Sequence, residues 1–114
     1  HTLIEDEGAR FENLAALHFR KLVDGWNDRG DGDFALWYVR DKERREVDFL
    51  ITERRKPWLL AETKVSDAQI SPALRYFRQQ FDVPHAVQII KSGAASYSSD
   101  GIVVARASDF VALL

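Results

Sequence analysis

Asp48, Glu62 and Lys64 are the residues of this chain whose types and spacing could do chemistry. Thirteen residues separate the aspartate from the Glu62-Thr63-Lys64 triplet. In an extended strand, side chains two apart share a face. Glu62 and Lys64 are therefore expected to project together and Thr63 the other way, with Asp48 on a neighbouring strand turned to the same spot. Two hard carboxylates and an ammonium group on one sheet face suit a divalent cation and a phosphate group.

The elements that must position these residues follow from the pattern around them. Arg45 to Thr52 and Trp58 to Val65 read as strands joined by Arg54-Arg55-Lys56-Pro57. Phe34 to Arg40 is a further strand, so a three-stranded antiparallel meander is expected. Before it, Phe11, Ala15, His18, Leu22 and Trp26 recur at helical spacing, with Thr2 and Glu5 placed as a capping box. Asn27 to Asp33 is a polar, glycine-rich break. Ser66 and Asp67 suit a turn. Ile70, Leu74, Phe77 and Phe81 mark a second amphipathic helix that Ser71 and Pro72 would start. His85 to Lys91 reads as a strand, Ser92 to Asp100 as a loop and Gly101 to Ala105 as a short strand. Ser108 or Asp109 is placed to cap a last helix ending at Leu114. The order is α-β-β-β-α-β-β-α, an α/β fold.

Composition bounds the chemistry. The 114 residues suit one domain with a core of its own. Without cysteine there is no disulfide framework and no thiolate metal site. No apolar run approaches the ~20 residues needed to span a bilayer, and no secretory signal opens the chain, so a cytoplasmic protein with no membrane partner is expected. The net charge of -2 argues against strong unaided binding to nucleic acid. Methionine is absent throughout, so an excised domain of a longer protein is expected.

The ordered set of motifs resembles the PD-(D/E)XK, or restriction-endonuclease-like, nuclease superfamily. The stretch Gly8 to Leu14 resembles its first-helix motif, with Glu12 as the helical acid. Glu46-Val47-Asp48-Phe49 resembles its strand motif, and Glu62-Thr63-Lys64 its Glu-x-Lys triplet. With the aromatic strand from Phe34 through Trp37 and Tyr38 to Arg40, the chain is most similar to a C-terminal domain of predicted prokaryotic AAA+ ATPases. The resemblance covers nearly the whole of residues 1–114. It implies an αβββαβ core with a mixed central sheet flanked by helices, here extended by a C-terminal strand and short helix. It further implies Mg²⁺- or Mn²⁺-dependent hydrolysis of DNA phosphodiester bonds and an N-terminal ATPase domain in the same chain. Glu12, Asp48, Glu62 and Lys64 would be the catalytic set, with Asp48, Glu62 and Glu12 on the metal.

Each residue also has a simpler reading. Asp48 and Glu62 could belong to a solvated hairpin face, but the run Trp58 to Val65 looks like a central strand, and burying acids there is costly unless they are paired or metal-bound. Lys64 could orient or help deprotonate an attacking water and offset charge in the transition state, or simply pair with Glu62 or Asp48. Glu12 falls about 60° from the middle of the apolar stripe, at its edge. Glu46 shares the strand face of Asp48 and could be a supporting acid or a partner for Arg40 or Arg44. The cluster Arg40, Lys42, Arg44, Arg45, Arg54, Arg55 and Lys56 could contact phosphates or be ordinary charged turns. Arg75, Arg78 and Gln79 could line the cleft. Gly8 could allow close helix–sheet approach, and His18 reads as a packed core histidine. The competing functions are a non-catalytic interaction or regulatory domain that keeps the fold, and a hydrolase of structured RNA or a small phosphodiester.

Overall fold

The computed structural model describes residues 3–66, 69–93 and 96–112. The capping pair expected at Thr2, the turn residue Asp67 and the helix end at Leu114 lie outside them. The elements are α1 (Leu3–Asp28), β1 (Phe34–Arg40), β2 (Glu46–Glu53), β3 (Lys56–Lys64), α2 (Pro72–Gln80), β4 (His85–Ile90), β5 (Tyr97–Ser99), β6 (Ile102–Arg106) and α3 (Ala107–Ala112). The expected order is present with one addition. The segment expected as a loop from Ser92 to Asp100 contains β5, which pairs antiparallel with β6 from Ser99 opposite Ile102. Asp100 and Gly101 form the two-residue turn, with φ of 53° and 76°, the backbone of a tight hairpin of the primed type.

The fold is a mixed six-stranded sheet, ordered β1-β2-β3-β4-β6-β5, flanked by helices. β1, β2 and β3 form the antiparallel meander. The crossover through α2 returns the chain as β4, parallel to β3, and β6 is parallel to β4. Ser71 caps α2 by accepting from Leu74 N, and Pro72 occupies its first turn, where a missing N–H costs nothing. The sheet is covered on both faces, which is why β4 and β6 read as near-continuous apolar runs. One core holds Leu60, Leu74, Phe77, Ala86, Ile90 and Val104 against α2. The other holds Phe11, Phe19, Val23, Phe49, Ile51, Ala61, Val87 and Ile89 beneath α1, with Phe110 of α3.

Two slips of register shape the meander. Trp37 pairs with Leu50, but Val39 pairs with Val47, so Tyr38 stands opposite both Asp48 and Phe49. This β-bulge breaks the alternation of faces. Val47 belongs to the α2-side core and Phe49 to the α1-side core, although strict alternation would put them together. At the other end of the hairpin Ile51 pairs with Leu59 while Thr52 pairs with Pro57, leaving Trp58 as an extra residue. The connecting turn is only Arg54-Arg55, shorter than the four residues expected, because Glu53 already pairs with Lys56.

Candidate active site

The strands β3, β4 and β6 run parallel, and the pairs Lys64–Ile90 and Ile90–Arg106 bring their C-terminal ends to one edge of the sheet. β2 starts at that edge. The last pair of the β2–β3 ladder is Phe49–Ala61. Beyond it the ladder opens, and the Asp48 side chain replaces the missing backbone contacts. Its Oδ2 accepts from Thr63 N at 2.8 Å and from Thr63 Oγ1 at 2.7 Å. Thr63, expected to turn away from the acids, instead fixes the carboxylate of Asp48 with two donors. The Thr in the middle of the Glu-x-Lys triplet was the available signal, since it offers a hydroxyl where most strand residues do not.

Glu12 and Glu62 complete the cluster. Each carboxyl group is hydrogen-bonded to Asp48. Glu12 reaches it from α1 and Glu62 from β3, so the structure brings three of the four predicted residues into direct contact. Glu62 is only 6% exposed. The fourth, Lys64, is close enough to favour the charged form of Glu62 without closing a salt bridge to it. Lys64 closes none of the ion pairs expected of it with these acids, which hydrogen-bond to one another instead.

The electrostatics follow from that crowding. Burial pushes the Asp48 carboxyl up, but hydrogen bonds from Glu62 and Glu12 and both donors of Thr63 outweigh it and hold the group below its ordinary value. Burial, then the hydrogen bond to Asp48 and its charge, raise Glu62 to about 8. The hydrogen bond to Asp48, then burial and the charges of Asp48 and Glu46, raise Glu12 to about 7. Below neutrality Asp48 is the carboxylate of the cluster while Glu12 and Glu62 keep their protons, because three like charges cannot share the site unaided.

The surroundings sort the remaining candidates. A cavity of about 670 Å³ opens over the cluster, with Lys64, Arg44, Arg45, Ser71 and Gly8 on its walls. Arg45 stacks on Tyr76, 3.7 Å from the ring centre, and pairs with Asp41 at 2.7 Å. Arg44 sits in a turn with φ of 64°. Glu46 pairs with Arg40 at 2.8 Å, the partner role expected of it. Arg54, Arg55 and Lys56 lie at the opposite end of the hairpin, roughly 20 Å along β3 from Glu62. Arg75, Arg78 and Gln79 do not line the cleft. They border a separate polar cavity with Asp82 and Asp100. A methyl group added to Gly8 would meet Val65 at an ordinary 3.7 Å, so close helix–sheet approach does not require the glycine. His18 is half-buried on the wall of an apolar groove with Phe11 and Phe110 rather than inside the core.

Gln88 is the polar residue that the sequence reading passed over. It is fully buried beside Glu62 in the parallel β3–β4 pair. Its Oε1 accepts from Ser71 N at 2.9 Å and its Nε2 donates to Gln69 O at 3.2 Å. It thereby ties the start of α2 to the sheet next to the acids. A lone polar residue in the apolar run Ala86 to Ile90 was the signal for it.

Compared with known protein families, residues 7–110 match one described as a domain of unknown function (DUF4143). No curated protein and no solved structure matches the chain. Among the described residues, no helix is long and apolar enough to cross a membrane.

Proposed function

The chain belongs to the DUF4143 family, and we propose that this domain hydrolyses DNA phosphodiester bonds with a divalent metal ion held by Glu12, Asp48 and Glu62. The observation that carries the reading is the contact of three carboxyl groups at one end of the sheet, where Glu12 and Glu62 each meet Asp48. A structural ion-pair cluster would contain balancing cations in contact. Here, among the described residues, Lys64 forms no salt bridge. The αβββαβ order and the positions of Glu12, Asp48, Glu62 and Lys64 also support membership of the PD-(D/E)XK superfamily. On that resemblance, an ATPase domain of the same polypeptide would be the partner and would supply most of the DNA grip.

The donor set fits Mg²⁺ or Mn²⁺. It is all oxygen, anionic when deprotonated, and includes a carboxylate already fixed by Thr63. Among the described residues no three such donors already stand at metal-ligand spacing, so the carboxyl groups would have to rearrange around an entering cation. When bound, the ion supplies Lewis-acid polarisation of a phosphate oxygen and a more acidic water. The protein's own part is set by its residues. Asp48 is held in one orientation by Thr63. Glu12 and Glu62 give up their protons as a cation enters, so affinity should rise with pH through the range about 7 to 8. Lys64 places positive charge where the phosphate gains negative charge, and Arg44 and Arg45 rim the cavity where flanking phosphates would lie.

The second reading, a non-catalytic interaction domain, is favoured by the pairing of Arg40 and Arg45 with acids, which spends basic charge internally. One paired assay separates the two. In the full-length natural protein, Lys64→Ala should keep its melting temperature and lose about 10²-fold in Mn²⁺-dependent DNA cleavage, and Asp48→Asn should lose both cleavage and Mn²⁺ binding. A wild type without cleavage, whose Lys64→Ala variant melts far lower, would establish the structural reading instead.

A further inference from the structure

Tyr38 is 71% exposed, although it lies on a strand beside the carboxyl cluster. The register slip of β1 against β2 sets it opposite Asp48 and Phe49 together. Bulges re-aim side chains next to functional sites. The ring of Tyr38 rests on Phe49, with centroids 5.8 Å apart and planes tilted by 48°, and most of its surface remains open. β1 is the edge of the sheet, so no further strand covers it.

Tyr38 also lines a cavity. Together with Glu12, Arg40, Glu46 and Asp48 it borders a space of about 370 Å³. Glu12, Glu46 and Asp48 border the larger cavity over the acids as well. The two spaces therefore adjoin through the cluster. Arg40 is paired with Glu46, but both side chains are largely exposed. Such surface pairs are weak, and the guanidinium can exchange its partner for a phosphate.

An aromatic face, an arginine and a carboxyl cluster side by side match the parts of one nucleotide: base, phosphate and scissile bond. We propose that Tyr38 is a stacking platform for an unpaired nucleobase, which makes single-stranded or frayed nucleic acid the preferred substrate of the site. The inference rests on the phosphodiesterase reading above for its substrate class. Bases inside a duplex are stacked on each other and offer no face to a side chain, whereas every unpaired base does.

The test is binding without cleavage. Fluorescence anisotropy of a labelled 12-nucleotide single strand and of the matching blunt duplex would be measured on the full-length protein, in Ca²⁺ at low salt. Losing one base–aromatic stack should weaken single-strand binding by roughly 5- to 100-fold in Tyr38→Ala. Tyr38→Phe should bind within about 3-fold of wild type, and duplex affinity should be unchanged in both. Equal affinity of wild type and Tyr38→Ala for the single strand overturns the proposal, as does wild type binding no oligonucleotide. A change in oligomeric state of Tyr38→Ala, seen by light scattering with oligonucleotide binding intact, overturns it in favour of a protein-docking edge. Tyr38-dependent binding by a protein that never cleaves, even with Mn²⁺, upholds the stacking site and refutes the hydrolase reading, so the two failures are distinguishable.

Discussion

The β1–β2–β3 meander slips register by one residue near each end, between β2 and β3 at the turn end and between β1 and β2 at the open end, and the two ends use the slip in opposite ways. At the turn end the extra residue is Trp58. It joins Trp26 at 5.8 Å, Phe34 at 5.3 Å and His85 at 5.3 Å, all close to edge-to-face, an arrangement that stabilises beyond area burial alone. At the open end Asp48 and Phe49 together stand opposite Tyr38, and Asp48 is in contact with two further acids. The same backbone device builds a hydrophobic anchor at one end and a buried carboxyl cluster that resists ionisation at the other.

The comparison breaks most visibly at the aromatic end. Trp58→Ala should cost about 3 kcal/mol, the lower part of the range for removing a large core aromatic, because Trp58 is only half-buried. For a domain of this size that lowers the melting temperature by about 12 °C. Mn²⁺-dependent cleavage, measured below the new melting point, should stay within about 3-fold of wild type, since Trp58 touches none of the acids. A loss of cleavage as large as that in Lys64→Ala would show that the two ends are one cooperative unit.

The acid end responds to pH rather than to lost volume. A carboxyl whose pKa is higher folded than unfolded holds its proton more tightly in the folded state. Its stabilising contribution is complete below the ordinary value of 4.5 and is lost as pH rises through about 7 for Glu12 and about 8 for Glu62. Asp48 has the opposite sign: its contribution is lost as pH falls through its ordinary value of 3.8 and below. Between about pH 5 and pH 8.5 the two glutamates therefore dominate, and metal-free stability should fall as pH rises through that window. Glu62→Gln keeps a donor to Asp48 but cannot ionise. It should flatten most of that slope and melt higher than wild type at the alkaline end. Millimolar Mn²⁺ should restore wild-type stability there by binding the folded state, with little effect on Glu62→Gln. A wild-type melting temperature independent of pH across this range would mean that the three acids are not coupled.

Much of this was legible before the structure. Strand bounds from Phe34 to Arg40 follow from an apolar run between polar breaks, and the start of α2 from Ser71-Pro72, because local chemistry decides both. The gathering of Glu12 with Asp48 and Glu62 could be anticipated from their order along the chain. What periodicity could not give was the role of Thr63. A two-residue alternation assumes an unbroken ladder, and here the ladder opens after Phe49–Ala61 while a bulge at Asp48 reverses the faces. The state of the acids was equally hidden: without distances, a lysine two residues away looks like a partner, whereas burial makes a shared proton the better one. β5 was a different kind of omission, since Asp100-Gly101 is among the strongest two-residue hairpin signals and was present in the sequence.

The smallest expected effect sharpens the contrast between the two ends. The turn beyond Trp58 is closed by two arginines in the left-handed region, Arg54 at φ 51° and Arg55 at φ 69°. Side chains with a Cβ pay roughly 1–2 kcal/mol for that conformation, and turns of this type favour asparagine followed by glycine. Arg54 N donates to Asp33 O at 2.8 Å, a bond that asparagine at this position would keep. The one ion pair there, Arg54 with Glu53 at 3.6 Å, leaves the arginine side chain 80% exposed and worth little. Replacing the pair with Arg54→Asn and Arg55→Gly relieves the strain, while the glycine adds flexibility to the unfolded chain. The net gain should be about 1 kcal/mol, or about 4 °C in melting temperature. It should leave the pH dependence of stability unchanged, because the turn lies roughly 20 Å from Glu62. The substitutions also remove two positive charges, which makes them a probe of how nucleic acid lies on the domain. If substrate meets only the open end, cleavage and single-strand affinity should be unaltered at fixed salt. A several-fold loss of affinity with a shallower salt dependence would place phosphates along the hairpin as far as its turn, and the division between an anchoring end and a chemical end would no longer hold.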